Sequence, residues 1–184
     1  MRSSLGRKVE EISGCHQLNH GVHIDVRGSF SKVMSTKLKA IAGIAFQPRE
    51  LFWSKSQKGV LRGMHVQLPP YSGAKLVWVS QGNIRDVVLD LRIGSETFGA
   101  CLVLHLDETS GALFIPEGCA HGFEVISDFA VVNYAQDVDH DPNHDSGVAW
   151  NSFSFEWKTP SPILSERDLQ LPTFANFSSP FRMS

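Results

Sequence analysis

The stretch KLVWVSQGNIRDVVLDLR, residues 75–92, consists of two apolar runs rich in valine, leucine and isoleucine on either side of a Gln-Gly-Asn sequence. Branched apolar side chains favour an extended backbone, and glycine accepts the conformations that tight turns require. The stretch therefore predicts two β-strands around a turn.

Short apolar runs of the same kind continue along the chain at the interval typical of β-sandwiches and barrels. They are ACLVLHL (100–106), ALFIP (112–116), GFEVI (122–126) and AVVNYA (130–135). Helix signals are few. One short helix is indicated where an N-cap, an apolar stripe and a C-cap glycine follow one another, at Ser35, Thr36, Leu38, Ile41, Ala42 and Gly43. A further turn of helix is predicted at SERDL (165–169), and the pattern as a whole indicates an all-β fold.

The length and charge of the chain limit the classes of protein to consider. With 184 residues, of which 42% are hydrophobic, one domain covering residues 1–184 is expected. The net charge of −2, without a basic run, argues against a nucleic-acid partner, so an anionic ligand would be small and bound by a few cations. No apolar stretch is long enough for a membrane helix, and no segment resembles a signal peptide. A cytoplasmic protein without a membrane partner is expected.

The three cysteines, Cys15, Cys101 and Cys119, are odd in number and lack a C-x-x-C spacing. This pattern argues against both a disulfide framework and a zinc knuckle. It favours a reducing compartment.

Five polar residues lie within or beside the predicted strands among apolar neighbours or glycine. They are Arg62, His65, Lys75, His121 and Tyr134. Each alone could be an outward-facing residue or a hydrogen-bonded core residue. In a barrel, however, inward-facing residues from different strands line one cavity. Two cations, two imidazoles and a phenol together are suited to acid–base chemistry on an anionic substrate.

Two stretches resemble the signature motifs of the cupin superfamily, whose fold is a double-stranded β-helix or jelly roll. In GVLRGMHVQLPP (59–70), Gly59 is followed after five residues by His65, and later Pro116-x-Gly118-x-x-His121 appears. Metal-binding cupins continue the first motif with a second histidine and a glutamate. Here the second position is Gln67 and no glutamate follows, so the motif does not assemble a metal site. A cupin without a metal is expected.

Over residues 23–170 the chain resembles the dTDP-4-dehydrorhamnose 3,5-epimerase family. The matching segments are DVRGSF (25–30), SKSQKGVLRGMHVQ (54–67), GAKLVWVSQGNIRDVVLDLRIGSETFG (73–99), FIPEGCAHGF (114–123), NYAQD (133–137), VAWN (148–151) and PILSERD (162–168). The resemblance implies a single cupin domain with its core at about 23–170, N-terminal strands and an extended C-terminal tail. It also implies a homodimer with a site shared between subunits, and an enzyme of deoxysugar biosynthesis that uses no cofactor.

The resemblance implies a role for each of four catalytic residues. His65 matches the base, and Asp168 matches the carboxylate that orients it. Tyr134 matches the general acid on the opposite face of the sugar, and Lys75 matches the lysine beside the enolate oxygen. These residue types suit the reaction, because a C–H bond next to a ketone loses its proton only to a positioned base while the developing enolate is stabilised.

The implied substrate-binding residues comprise matches and departures. Arg62 and His121 match residues near the diphosphate and sugar, and Arg27 and Phe30 match residues that reach into the partner subunit's site. Gln67, at the altered motif position, is also assigned to this set. Lys32 stands where the family usually has an acceptor toward the nucleotide base.

Two further departures surround the expected nucleotide site. Glu50-Leu51-Phe52-Trp53 replaces a segment with two amides, and Asp139 and His140 replace paired aromatics. A weaker preference for thymidine than the family norm is therefore expected.

The resemblance predicts an epimerase that inverts C3, and in the main interpretation also C5, of a nucleotide-diphospho-4-keto-6-deoxysugar. Three alternatives stay open: a nucleotide-sugar ketoisomerase, a C3-only epimerase acting on a non-dTDP sugar, and a non-catalytic cupin that binds sugar nucleotides. Turnover of a 4-keto nucleotide sugar separates the enzymes from the binding protein.

Overall fold

A computed structural model defines residues 8–18 and 21–183 of the chain. Within these residues thirteen strands, numbered in chain order, form two large sheets and one hairpin. The six-stranded sheet has the order β1 (Lys8–Val9), β9 (Cys101–Asp107), β8 (Asn83–Asp90), β11 (Cys119–Val125), β6 (Leu61–Gln67) and β13 (Asp145–Gly147). The five-stranded sheet has the order β2 (His16–Leu18), β10 (Ala112–Ile115), β7 (Lys75–Gln81), β12 (Phe129–Gln136) and β5 (Glu50–Gln57). Strands β3 (Val22–Asp25) and β4 (Gly28–Ser31) pair only with each other among the described residues.

The helices are short, as predicted. Helix α1 covers Thr36–Ile41, α2 covers Glu166–Leu169, and a single 3₁₀ turn covers Phe174–Asn176. Helix α2 begins at Ser165, whose hydroxyl accepts a hydrogen bond from the Asp168 backbone N–H at 3.1 Å. This N-cap holds the one turn of helix that carries Asp168. None of the described helices is long and apolar enough to cross a membrane.

The prediction of an all-β jelly roll is confirmed, and the strands of the 75–92 stretch are placed correctly. The two strands do not pair with each other, however, because β7 belongs to the five-stranded sheet and β8 to the six-stranded sheet. The Gln-Gly-Asn sequence therefore passes the chain from one sheet to the other. Gly82 has φ +78°, and a Cβ there would lie 2.1 Å from the Phe129 carbonyl oxygen, so this crossing requires glycine.

The main core lies between the two large sheets. It joins inward-facing residues of the six-stranded sheet, such as Ile84 and Phe123, to residues of the five-stranded sheet such as Val77 and Val132. Successive side chains along a strand point to opposite faces, so the other face of each sheet needs its own cover. A second cluster packs the C-terminal tail, through residues such as Trp157, on the outer face of the six-stranded sheet.

The outer face of the five-stranded sheet is covered by a third cluster, in which Phe46 packs on Phe114. Both sheets therefore pack on both faces, which explains why β8 is buried along most of its length. Residues 1–7, 19, 20 and 184 of the predicted domain lie outside the described part of the structure. The side chains of Leu38 and Ile41, which belong to the predicted helix, also lie outside it.

Candidate active site

A cavity of about 350 Å³ opens between the two large sheets. Its wall is built from inward-facing residues of both sheets, which alternate along each strand with outward-facing ones. The predicted site residues that line it are Arg62, His65, Gln67, Lys75, His121 and Tyr134. The structure thus brings all five polar strand residues of the sequence analysis to one cavity.

The register of the strands explains this convergence. On the six-stranded sheet, His65 of β6 pairs directly with His121 of β11. On the five-stranded sheet, Lys75 lies on β7, and Tyr134 lies on β12 opposite Val77 of β7. The two histidines therefore approach the cavity from one sheet, and the lysine and the phenol approach it from the other.

His65 is hydrogen-bonded to Asp168. Its Nε2 lies 2.5 Å from Asp168 Oδ1, and the aspartate side chain is 3% exposed. Burial lowers the pKa of His65 from its usual 6.5, which outweighs the opposing hydrogen bond and charge of Asp168. Near neutral pH the ring is therefore neutral, and a ring that donates from Nε2 to Asp168 keeps its lone pair on Nδ1. This arrangement is that of an oriented base.

Asp168 remains ionised although it is buried. Burial by itself would raise the pKa of this carboxyl group, but the hydrogen bond of His65, together with the charge that the ring carries when it is protonated, holds it below its usual value. The carboxylate can therefore both orient the ring and stabilise the imidazolium that forms when His65 accepts a proton.

Lys75 lies in the wall of the cavity. Burial lowers its pKa to about 8, with Asp145 acting in the opposite direction. The ammonium group is still largely protonated at neutral pH. Because it is poorly solvated, its charge acts strongly on an anion that forms nearby.

Tyr134 is kept protonated by its surroundings. Burial raises the pKa of the phenol well above its usual value. The ring of Phe52 stacks on it with centroids 4.7 Å apart, and the ring of His121 forms a T-shaped contact with centroids 6.1 Å apart. A phenol held in this way suits a proton donor, because the neutral form is the stable one.

Behind the cavity, His121 is bound to an aspartate that sequence reasoning missed. His121 Nε2 lies 2.7 Å from Asp86 Oδ2 on the neighbouring strand β8, and both side chains are buried. The other oxygen of this carboxylate, Oδ1, is buried without a partner among the described residues. A signal was present in the sequence, because Asp86 occupies an inward position of the strand between Ile84 and Val88.

The rim of the cavity carries an ion pair that was not predicted. Arg167 forms an ion pair with Asp145, whose other oxygen lies 3.2 Å from His140 Nε2. All three residues line the cavity. Arg62 donates from Nε to Ser56 Oγ at 2.9 Å, which directs its guanidinium along the wall. Arg167 is next to Asp168 in the sequence, and that adjacency was the available signal.

Gln67 and Glu50 have structural partners near the site. The Gln67 amide donates to the carbonyl oxygens of Tyr71 and Asp139, and its Oε1 accepts from the Asp141 N–H at 2.7 Å. Gln67 lines the cavity and also holds the adjoining loop. Glu50 lies outside the cavity lining, and its carboxylate accepts a hydrogen bond from the His140 backbone N–H at 2.8 Å.

The structure does not bring Arg27, Phe30 and Lys32 to the cavity of their own chain. All three are exposed and lie on or directly after the β3–β4 hairpin. The Arg27 guanidinium pairs with Asp25, and its side chain is 85% exposed. These residues can serve a site only if that site belongs to another molecule.

The described residues contain no cluster of three or more His, Cys, Asp and Glu side chains arranged to hold a metal ion. The two histidines of the cupin motifs are hydrogen-bonded to Asp168 and Asp86 instead.

A family model described as dTDP-4-dehydrorhamnose 3,5-epimerase matches residues 9–176 of the chain. A curated relative of that name from Mycolicibacterium smegmatis is 35% identical over 167 residues, which cover 89% of this chain and 83% of the relative.

Two solved structures illustrate the similarity of the fold. The dTDP-6-deoxy-D-glucose-3,5-epimerase RmlC from Legionella pneumophila Philadelphia 1, in complex with dTDP-4-keto-L-rhamnose, has a TM-score of 0.84 and 28% identity, covering 92% of this chain and 99% of that one. ChmJ, a 3'-monoepimerase from Streptomyces bikiniensis in complex with dTDP-quinovose, has a TM-score of 0.83 and 27% identity, covering 92% of this chain and 87% of that one.

Proposed function

This chain belongs to the dTDP-4-dehydrorhamnose 3,5-epimerase family and is an isomerase, and we propose that its cavity epimerises a nucleotide-diphospho-4-keto-6-deoxysugar with His65 as base and Tyr134 as acid. One observation carries the proposal. A neutral histidine held by a buried carboxylate lies across one cavity from a protonated phenol. Inversion of a carbon requires these two functions on opposite faces of the sugar.

The proposed reaction begins at the carbon next to the ketone. Nδ1 of His65 removes the proton there, and Asp168 stabilises the resulting imidazolium. The electron pair of the C–H bond moves onto the ketone oxygen, where the Lys75 ammonium stabilises the enolate. Tyr134 then delivers a proton to the other face, and the carbon is inverted. The ketone of the substrate takes up the electron pair, so the reaction as proposed uses no redox cofactor or metal.

The number of carbons inverted is the first quantity to test. We expect purified protein in D₂O to incorporate deuterium at both C3 and C5 of a dTDP-linked 4-keto-6-deoxyglucose and to convert it to the doubly inverted sugar. Deuterium at C3 alone would identify a C3 epimerase. Migration of the keto group would identify a ketoisomerase. Tight binding without exchange at either carbon would contradict catalysis and leave a binding protein.

The substrate-binding proposal assigns Arg62 and His121 to the diphosphate and the sugar. Arg62 lies on the wall beside His65 and keeps most of its guanidinium N–H groups available after donating from Nε to Ser56. His121 forms part of the same wall, and Asp86 fixes its orientation. A diphosphate is well matched to a guanidinium, which donates two parallel hydrogen bonds.

The protein is further proposed to be a homodimer in which Arg27 and Phe30 enter the partner's cavity. Support comes from the hairpin, where Ile24, Val26 and Phe30 expose large apolar surfaces that are unfavourable in water. Within one chain the hairpin pairs with no other described strand. A second copy that covers this surface would bring Arg27 close to substrate.

Subunit complementation tests this arrangement. Arg27→Ala and His65→Asn homodimers should each have little activity, the first because substrate binds weakly and the second because the base is missing. A mixed dimer contains one site with both His65 and the partner's native arginine, so mixing under exchange conditions should restore activity. If Arg27 serves its own chain, mixing restores nothing, and a fully active monomer would also contradict the proposal.

A weakened preference for thymidine is proposed from the departures at Lys32, Glu50 and Phe52. Glu50 is engaged by the His140 N–H, and Phe52 stacks on Tyr134, so neither offers the amide that the family pattern places there. An unpaired polar group on a buried base costs about 1–3 kcal/mol. A thermal-shift screen of dTDP, UDP, CDP and GDP measures the preference. A dTDP-sugar favoured at least tenfold in kcat/KM over the others would contradict this proposal.

The remaining proposals concern the chain as a whole. It is proposed to act as one cupin domain, because β1 and β2 extend the two large sheets and the C-terminal tail covers one of them. A cytoplasmic location is proposed because the three free cysteines favour a reducing compartment. Cell fractionation tests the location.

A further inference from the structure

Strand β5 lies at one end of the five-stranded sheet and pairs with β12, the strand that carries Tyr134. In this pairing Phe52 is directly opposite Tyr134, and Ser54 is opposite Val132. Side chains two residues apart on a strand point to the same face, so Phe52 and Ser54 share the face of Tyr134. All three line the cavity. Strand β5 thus places two side chains beside the proposed acid.

The ring of Phe52 stacks on the ring of Tyr134. The centroids are 4.7 Å apart, and the two planes differ by 12°. A second ring, that of His121 from the other large sheet, meets the phenol at 69° with centroids 6.1 Å apart. Both contacts depend on how the phenol is oriented, so together they restrict its rotation and the position of its hydroxyl group.

The hydroxyl group of Ser54 lies next to this stack without a partner. Its Oγ is buried and makes no hydrogen bond to any described residue. A buried hydroxyl without a partner costs free energy, so it should bind a group that enters the cavity or becomes charged there. Ser56, two residues further along the same face, already accepts from Arg62 Nε at 2.9 Å. Ser54 therefore has a free hydroxyl where Ser56 does not.

Proton delivery converts Tyr134 into a phenolate, and most of its surroundings disfavour that charge. Burial raises the pKa of the phenol well above its usual value, and the charge of Asp86 acts in the same direction. The charge of Arg62 acts in the opposite direction. A hydroxyl group that donates to the phenolate oxygen would stabilise it further, because hydrogen bonds to ionised groups are stronger than those to neutral ones.

We propose that Phe52 and Ser54 are positioning residues for Tyr134, which rests on the proposed role of Tyr134 as the acid. Phe52 fixes the plane of the phenol, and Ser54 donates a hydrogen bond to the phenolate oxygen that proton delivery leaves behind. In each inversion Tyr134 loses one proton to the sugar carbon, and His65 gains one from it. After the product leaves, the imidazolium releases its proton to water and the phenolate takes one up from water.

The chain contains two tyrosines, so Tyr71→Phe leaves Tyr134 as the only one. In this background 3,5-difluorotyrosine is incorporated during expression, because its phenol is more acidic than that of tyrosine. Fluorine NMR then follows formation of the phenolate as the pH is raised. Ser54→Ala should move the titration midpoint up by about 1–2 pH units, since one hydrogen bond to a charged oxygen is lost. Ser54→Thr keeps the hydroxyl group and should restore the midpoint.

The other titratable and charged groups around the phenol stay the same in these variants. They come from four strands and are His65 and Arg62 on β6, Lys75 on β7, Asp86 on β8 and His121 on β11. A change in the midpoint therefore reports the hydroxyl group at position 54.

The stack is tested by proton NMR of the same single tyrosine. The face of Phe52 shields the nearby ring protons of Tyr134, so Phe52→Leu should move their resonances downfield. Phe129→Leu is the matched control. Phe129 lies on β12, is 40% exposed compared with 41% for Phe52, and is not part of the cavity lining. This control should leave the resonances of Tyr134 in place.

Turnover of the 4-keto sugar in D₂O gives the kinetic test. Ser54→Ala should keep deuterium exchange at C3 and lower inversion by about 10- to 100-fold, because proton removal by His65 does not involve Ser54. Ser54→Thr should recover most of the inversion. Phe52→Leu should lower inversion by about 2- to 10-fold, again with exchange preserved.

Three results would overturn the proposal: one midpoint for serine, threonine and alanine at position 54, ring resonances unmoved in Phe52→Leu, or equal loss of exchange and inversion with a raised KM. The last result would make Ser54 a substrate-binding residue. If the native chain neither exchanges nor inverts the sugar, the proposed function fails. The two NMR measurements need no substrate and still decide whether Phe52 and Ser54 act on Tyr134.

Discussion

His65 and His121 stand directly opposite each other on β6 and β11, and each is hydrogen-bonded through Nε2 to an aspartate. The side chain of His65 is 26% exposed, whereas that of His121 is 5% exposed. Asp168 reaches His65 from helix α2, while Asp86 reaches His121 from the adjacent strand β8.

The comparison shows that position, more than residue type, gives the two histidines different surroundings. His65 keeps part of its ring in the cavity and shares its proton with a carboxylate that is held by a helix cap. His121 is enclosed, and its partner Asp86 retains a buried oxygen without a partner among the described residues. The open pair can exchange protons with a substrate. The enclosed pair can position a ring and, through it, the wall of the site.

The strongest test compares His65→Asn with His121→Asn in D₂O. His65→Asn should lose inversion and deuterium incorporation together, because no enolate forms without a base. Both rates should fall by about 10²–10⁴-fold. His121→Asn should keep exchange and lower kcat/KM by about 10- to 100-fold, as expected for one lost polar contact. Mass spectrometry and NMR of recovered sugar measure both. Exchange that survives in His65→Asn but not in His121→Asn would reverse the roles of the two pairs.

Tyr134→Phe sharpens the comparison from the facing sheet. His65, Asp168 and Lys75 remain, so deprotonation continues and the base returns a deuteron to the same face. This variant should wash deuterium into C3 of recovered substrate while inversion falls by about 10²–10⁴. Loss of exchange together with inversion would mean that the phenol, and not His65, takes part in proton removal.

The two aspartates should fail in different ways. Asp86→Asn removes the charged partner of a fully buried ring, so the free energy of unfolding should fall by about 1.5–3 kcal/mol, measured by urea denaturation. Asp168→Asn should lower kcat strongly and should lower the free energy of unfolding less than Asp86→Asn does. The reason is that its main loss is the orientation and stabilisation of the His65 imidazolium. Equal effects of the two variants on kcat and on stability would remove the distinction between the pairs.

The pH dependence of activity tests the pair of His65 and Asp168 through a smaller but continuous effect. kcat/KM should rise with pH to a plateau, and the midpoint of this rise should lie below 6.5, because burial lowers the pKa of His65 from its usual 6.5. It should fall again near pH 8, where Lys75 loses its charge. Lys75→Arg should lack this alkaline limb, since a guanidinium stays charged. An alkaline limb that persists near pH 8 in Lys75→Arg would exclude Lys75 as its source.

The contribution of Lys75 to stability should rise with pH over the range in which its contribution to activity falls. The pKa of its ammonium group is about 8 in the folded protein, compared with 10.5 for an unperturbed lysine. Between these values the unfolded chain binds more protons than the folded one, so the contribution of this group to stability rises with pH. Urea titrations at pH 8 and pH 10 in native protein and in Lys75→Met measure the difference.

The smallest expected effect is that of a chelator. If His65 and His121 are engaged with Asp168 and Asp86 rather than with a metal, incubation with EDTA should leave kcat unchanged. Activity that is lost to the chelator and restored by one metal would identify both histidines as ligands and remove the comparison altogether.

Much of this site could be predicted from the sequence. The residues His65, Lys75, His121 and Tyr134 stand out because a polar side chain among apolar neighbours breaks the pattern of a strand, and alternation predicts that they share an inner face. Asp86 breaks the pattern in the same way and was missed, because a single carboxylate in an apolar strand has no motif around it. The resemblance alone pointed to Asp168, which lies 103 residues from His65 in the chain.

The sequence by itself determined where strands, turns and short helices lie, since these depend on neighbouring residues and on the freedom of Gly82 to turn. Only the tertiary structure decided that β7 and β8 part into different sheets and that Asp86 meets His121. The physical reason is that strand pairing and side-chain contact are settled by packing two sheets on both faces at once. Such packing joins residues far apart in the chain, and no local pattern specifies it.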